Sequence, residues 1–79
     1  MLIDGAHAPG MLPLDLRSLD PDYYVGNCHK WLFSAKGCAF LYARPALQAE
    51  LRPLAISHFV DDGFTAAFDW TGTRDPSPW

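Results

Sequence analysis

The spacing of three short apolar runs constrains what this chain can fold into more than any other feature. Met1-Leu2-Ile3 stops at Asp4, a second run covers Tyr23 to Gly26, and a third covers Cys38 to Arg44. Eighteen residues separate the first two runs, enough for the crossover that parallel strands require. Asn27 to Gly37 is too short for a helical crossover, so the third strand is expected antiparallel to the second, at an edge or a switch of the sheet. An apolar strand that ends in an acid and small residues is how an α/β sheet delivers side chains to the crevice at its carboxyl edge. Asp4 and His7, in Asp4-Gly5-Ala6-His7-Ala8-Pro9-Gly10, are expected at that edge. The first strand begins at Met1 with nothing before it to pair with, so sequence upstream is expected.

Between the strands, Pro13 to Leu19 reads as a short helix: proline suits a first turn, and Asp15 precedes Arg17 as the helix dipole favours. Asp20-Pro21-Asp22 ends it, because a residue before proline is pushed out of the helical region. Pro45 to Arg52 reads as a second helix, with good helix formers, an arginine in its last turn and Pro53 as a stop. Leu54 to Ser57 reads as a short strand. From His58 to Trp79 there is no strong period. Asp61-Asp62-Gly63 is a turn, Thr71 to Trp79 is a Gly/Thr/Pro loop, and Phe64, Phe68 and Trp70 are aromatic anchors. Such aromatics need a surface, which another subunit or further chain would provide.

A chain of 79 residues buries only about three fifths of its unfolded surface. The composition is nonetheless that of an enzyme interior: 49% hydrophobic and only 19% charged, against about 25% in an ordinary domain. A net charge of −3 offers no basic field for nucleic acid and no polybasic patch for a membrane. No apolar run approaches the roughly 20 residues of a membrane span, so a soluble protein is expected. Cys28 and Cys38 stand in a chain without a signal peptide and without zinc-ligand spacing. Free thiols, no metal and a cytoplasmic setting are therefore expected. A nucleotide-binding module is disfavoured, because no Gly-rich phosphate loop follows the first strand.

The chemically suggestive stretch is Asn27-Cys28-His29-Lys30-Trp31, where a β-prone run ends in a lysine flanked by two ring side chains. Burial or neighbouring cations can turn a lysine amine into a nucleophile toward a carbonyl, and this is a setting of that kind. Taken singly, each residue has an ordinary reading as well. Lys30 could be a solvated turn lysine, Asp4 a strand-end acid, His7 a loop histidine, and Thr71 to Asp75 merely a turn.

Taken in order, four motifs remove that ambiguity. Asp4-Gly5-Ala6-His7, Asn27-Cys28-His29-Lys30, Lys36-Gly37-Cys38-Ala39-Phe40-Leu41 and Thr71-Gly72-Thr73-Arg74-Asp75 resemble the class V aminotransferase superfamily of pyridoxal-phosphate enzymes. The wording His29-Lys30-Trp31-Leu32-Phe33, with Asp69-Trp70-Thr71-Gly72-Thr73-Arg74-Asp75-Pro76, looks most like the isopenicillin N epimerase-like branch. The resemblance implies an α/β fold: residues 1–79 as part of the large domain of an aspartate aminotransferase-like, fold type I enzyme, with a mixed sheet and an antiparallel strand after the lysine.

It also implies roles. Lys30 is similar to the lysine that forms a Schiff base with pyridoxal 5′-phosphate and moves the substrate's Cα proton. Asp4 is similar to the acid that pairs with the pyridine nitrogen and keeps the ring an electron sink. His7 stands where relatives carry Gln or His toward the phenolic oxygen, and His29 where a histidine meets the phosphate. Asn27 replaces the Ser or Thr that often lies three residues before the lysine, and can still donate to a phosphate oxygen. Thr73 matches a Gly-Thr that reaches the phosphate of the neighbouring subunit's site, which implies a homodimer acting on an amino-acid substrate. Trp31, Phe33 and Trp70 read as packing residues, and Cys28 as a small buried one. Epimerase, lyase or desulfurase, and aminotransferase chemistries share their first steps, so the segment does not choose among them. By itself the chain is expected to bind cofactor weakly or not at all. The alternative is a non-catalytic remnant that acts as an interaction or structural piece through an exposed sheet edge.

Overall fold

The computed structural model describes residues 1–69 and Ser77, which form two compact units, one of residues 1–44 with Ser77 and one of residues 45–69. The first unit is built on a three-stranded sheet in the order β1 (Leu2–Asp4), β2 (Tyr23–Asn27), β3 (Ala39–Ala43). β1 pairs with β2 in parallel, Asp4 opposite Val25, and β3 pairs with β2 antiparallel, Asn27 opposite Ala39. Both directions agree with the chain lengths available between strands. Arg44 N–H donating to Asp22 O at 2.8 Å carries the antiparallel ladder one pair further.

Strand alternation divides the sheet into two unlike faces. Ile3, Tyr24, Gly26, Phe40 and Tyr42 share one, and over it folds the segment that follows β1. Tyr24, 2% exposed, is its centre and stacks on Phe40 with ring centroids 6.0 Å apart. Its hydroxyl reaches Gly5 O at 3.5 Å, a weak bond. A side chain on Gly5 would fall inside the van der Waals shell of that phenol group, so only glycine lets the chain leave β1 across the ring. Leu2, Asp4, Val25, Asn27 and Leu41 share the other face, where Leu2 and Leu41 are exposed.

The crossover between β1 and β2 is shorter in helix than expected. α1 spans only Leu16–Leu19, and Pro13 lies outside it. The reason is Asp15, which serves as N-cap by accepting from the N–H groups of Arg17 and Ser18 and from the Ser18 hydroxyl. Those bonds hold the Asp15 carboxyl below its ordinary range, the Ser18 hydroxyl contributing most. Asp20 then takes the left-handed conformation (φ 46°) and ends the helix, as aspartate can do at modest cost. The Arg44 guanidinium holds this corner, donating to Asp20 O at 2.6 Å and facing the carboxylates of Asp20 and Asp22.

In the second unit three expectations are corrected. Pro45–Glu50 is a 3-10 helix, not an α-helix reaching Arg52. It buries no residue, and the arginine before Pro45 is no N-cap, so little favours the wider helix over i→i+3 bonds such as Leu51 N–H to Gln48 O. The segment at Leu54–Ser57 forms no strand, and Leu54 and Ile56 point outward. Phe64–Asp69, where no period was evident, is an α-helix, α2. It follows the Asp61-Asp62-Gly63 turn, with Gly63 at φ 96°. The rings of Phe64 and Phe68, four residues apart, pack at 4.9 Å while Ala67 is buried. Trp70 and the Thr71–Asp75 motif lie outside the described residues.

Replacing Gly5 by alanine forces apart β1's exit and the buried Tyr24 ring. The expected cost is about 1–3 kcal/mol, read as a lower urea midpoint.

Candidate functional site

The carboxyl ends of the two parallel strands place the candidate residues. Asp4 is the last residue of β1 and Asn27 the last of β2. Parallel pairing brings both ends to one edge, and the turn carrying Cys28 to Phe33 leaves from there. Asp4, an exposed residue, accepts the Ala6 N–H on Oδ1 at 3.1 Å, which turns the chain toward His7. Ala8 N–H to Gly5 O at 2.9 Å and Met11 N–H to Ala8 O at 3.0 Å close the following turns.

That loop meets the lysine turn directly. Lys30 Nζ lies 3.1 Å from His7 Nε2, and the Trp31 indole N–H donates to His7 Nδ1 at 3.2 Å. The backbones also touch: a Cβ on Gly10, whose φ is +82°, would stand 2.6 Å from Trp31 O. Only glycine suits both that conformation and that approach. Two residues expected together, Lys30 and His7, are thus in contact, and Trp31, expected only to pack, is bonded to one of them. The signal available in the sequence was a donor-only side chain next to the lysine.

His29 is engaged otherwise. Its Nδ1 donates to Cys38 O at 2.9 Å, so a neutral ring keeps an acceptor at Nε2 and could donate a second bond only as the imidazolium. Asn27 is half-buried opposite Ala39. Thr73 lies outside the described residues. Beside this turn the two cysteines stand opposite one another: Cys28 N–H donates to Cys38 O at 3.0 Å. Partial burial pushes the Cys28 thiol up, and the adjacent Cys38 thiol adds to the effect.

The turn is strained at one place. Phe33 has φ 58° and is 88% exposed, so a bulky side chain sits in the left-handed region without burial to hold it there. Its N–H faces Lys30 O at 3.4 Å, and Ser34 N–H donates to Cys28 O at 3.1 Å.

An amine, an imidazole and a carboxylate at the carboxyl edge of parallel strands are the groups that carbonyl-amine chemistry on an amino acid requires. Residues 1–73 match the family description Aminotransferase class-V, and the chain belongs to that family, whose members depend on pyridoxal phosphate. It is 38% identical over 94 aligned residues to isopenicillin N epimerase from Streptomyces clavuligerus, covering 99% of this chain and 24% of that protein. It is 35% identical over 78 residues to L-cysteine desulfhydrase from Arabidopsis thaliana, covering 98% of this chain and 17% of that one. A second isopenicillin N epimerase, from Amycolatopsis lactamdurans, is 36% identical over 93 residues, with 99% and 23% covered. The chain therefore spans less than a quarter of the length of these relatives.

Two outcomes follow from the turn's geometry. Replacing Phe33 by asparagine relieves the left-handed strain and should stabilise the chain by about 1 kcal/mol, seen as a higher urea midpoint. Because the Cys28 thiol is raised, less of it is thiolate near neutrality. Its alkylation by iodoacetamide should be slower than that of free cysteine at mildly alkaline pH and should keep climbing after free cysteine has levelled off.

Proposed function

We propose that this segment supplies the reactive amine and its immediate partners to a pyridoxal 5′-phosphate enzyme acting on an amino acid or an amino-acid derivative. The observation that carries the reading is the contact of Lys30 Nζ with His7 Nε2 at 3.1 Å, just beyond the strand end that bears Asp4. The donor set suits the cofactor: an amine for an aldehyde, an exposed carboxylate for a pyridine nitrogen, and a ring N–H for a phenolic oxygen. When bound, the cofactor supplies an electrophilic aldehyde and a ring that takes up the electron pair left at the substrate's Cα.

The chain's own residues do the rest. Lys30 would hold the cofactor's aldehyde through its amine and would accept and return the substrate's Cα proton. Asp4 holds a proton on the pyridine nitrogen. His7 would donate toward the phenolic oxygen, and Asn27 and His29 would hold the phosphate, His29 in its imidazolium form. Thr73 completes the phosphate site of a partner subunit in a homodimer. In this reading the sheet is part of an aspartate aminotransferase-like, fold type I large domain, and the protein works in the cytoplasm, where its two thiols stay reduced. The relatives' names include an epimerase and a desulfhydrase, so epimerisation and elimination lead as the overall reaction. Both begin with removal of the Cα proton.

A second reading, a non-catalytic interaction piece, draws support from exposed Leu2, Leu32 and Phe33 around the same sheet. One experiment separates the two. The chain is incubated with pyridoxal phosphate, reduced with borohydride and mapped by mass spectrometry. The enzyme reading expects a phosphopyridoxyl adduct concentrated on Lys30 and abolished by Lys30→Ala. Equal labelling of Lys30 and Lys36 would leave the interaction reading.

A further inference from the structure

The three groups Trp31, His7 and Lys30 form a line in which the direction of every hydrogen bond can be worked out. Trp31 Nε1 can only donate, and it lies 3.2 Å from His7 Nδ1. Nδ1 must therefore present a lone pair, which places the proton of a neutral ring on Nε2. An imidazolium would set an N–H against the indole N–H and lose the bond. Nε2–H then points at Lys30 Nζ, 3.1 Å away. An ammonium group has three donors and no acceptor, so this contact is a hydrogen bond only when Lys30 brings a lone pair, as the free amine.

From this we infer that Trp31 is a positioning residue: its indole N–H fixes the tautomer of His7, and that tautomer favours the free-amine form of Lys30, the form that attacks a carbonyl. With Lys30 charged, its ammonium would donate to Nε2, the ring proton would move to Nδ1, and the Trp31 bond would be lost. One contact is kept and one given up. With Lys30 neutral both contacts are made. The backbone holds the three in register, because Gly10 lies against Trp31 O and Leu32 N with no room for a side chain. Trp31 itself is 46% exposed.

The inference rests on Lys30 being the site's reactive amine, yet it can fail separately, because the nitrogen resonances of His7 report on Trp31 whatever Lys30 binds. The test compares the chain with its Trp31→Phe variant, which keeps an aromatic ring and removes the donor. Long-range ¹⁵N–¹H spectra of the imidazoles at about pH 8, above the ordinary histidine range, report the His7 tautomer. Reductive methylation with formaldehyde and cyanoborohydride, followed by peptide mapping, reports the Lys30 to Lys36 labelling ratio.

The expected result is an Nε2–H ring in the parent, a shift toward Nδ1–H in the variant, and a fall in the labelling ratio of about fivefold, the worth of one hydrogen bond. If the tautomer is unchanged in the variant, the inference is overturned, even if the ratio falls, since Trp31 would then act by packing. An unchanged ratio overturns it as well. Should Trp31→Phe fail to fold, benzothienylalanine at position 31, placed by chemical synthesis, keeps the bicyclic shape with sulfur in place of N–H and is read the same way.

Discussion

The parallel pairing of β1 with β2 is the constraint on which the site depends. With Leu2 opposite Tyr23 and Asp4 opposite Val25, two segments 18 residues apart in the chain end on the same edge of the sheet. Were they antiparallel, Asp4 and the lysine turn would leave from opposite ends. The pairing is held by a small core: the Tyr24 ring stacks on Phe40, and the chain leaving β1 crosses that ring at Gly5, where no side chain fits. The order of causes runs from a glycine that permits the crossing, through a buried tyrosine that fixes its height, to a loop that brings His7 within hydrogen-bonding distance of Lys30.

Hydrogen-bond direction gives this site more content than proximity does. Each ring nitrogen of a neutral histidine has one role, and one partner's role sets the other's. At His29 the Nδ1 proton goes to the Cys38 carbonyl, which leaves an acceptor on the far side of the ring. At His7 the indole takes the acceptor position, and the donor is left for the lysine. The two histidines therefore offer opposite faces to a ligand, although residue type alone makes them equivalent. The chain belongs to the class V aminotransferase family, and in it these local partners set which ring nitrogen gives a proton and which receives one.

Strand directions were legible in the residues because chain length constrains them: 18 residues permit the crossover of a parallel pair, and the Asn27 to Gly37 link does not. Helix type was not. The stretch Pro45 to Arg52 has the right formers, yet without a cap or a buried face it tightens into a 3-10 helix. α2 escaped notice because six residues hold only one i,i+4 aromatic pair, too little to show a period. In the candidate site, Asp4, His7, Asn27, His29 and Lys30 were singled out through ordered motifs rather than through local chemistry, since each alone has an ordinary reading. The bond of Trp31 to His7 had one signal in the residues, a donor-only indole beside the lysine, but its partner depends on how two loops 24 residues apart meet. A similar limit hid the Cys38 carbonyl as the partner of His29.

The three-stranded sheet has a further property. β1 forms one margin and β3 the other, and they differ in direction relative to the central strand, so the margins are not copies of each other. Within the first unit's described sheet, neither margin carries a further strand. Molecules joining one margin to the other would make a head-to-tail contact between unlike surfaces, which yields a ring where the rotation closes and a filament where it does not.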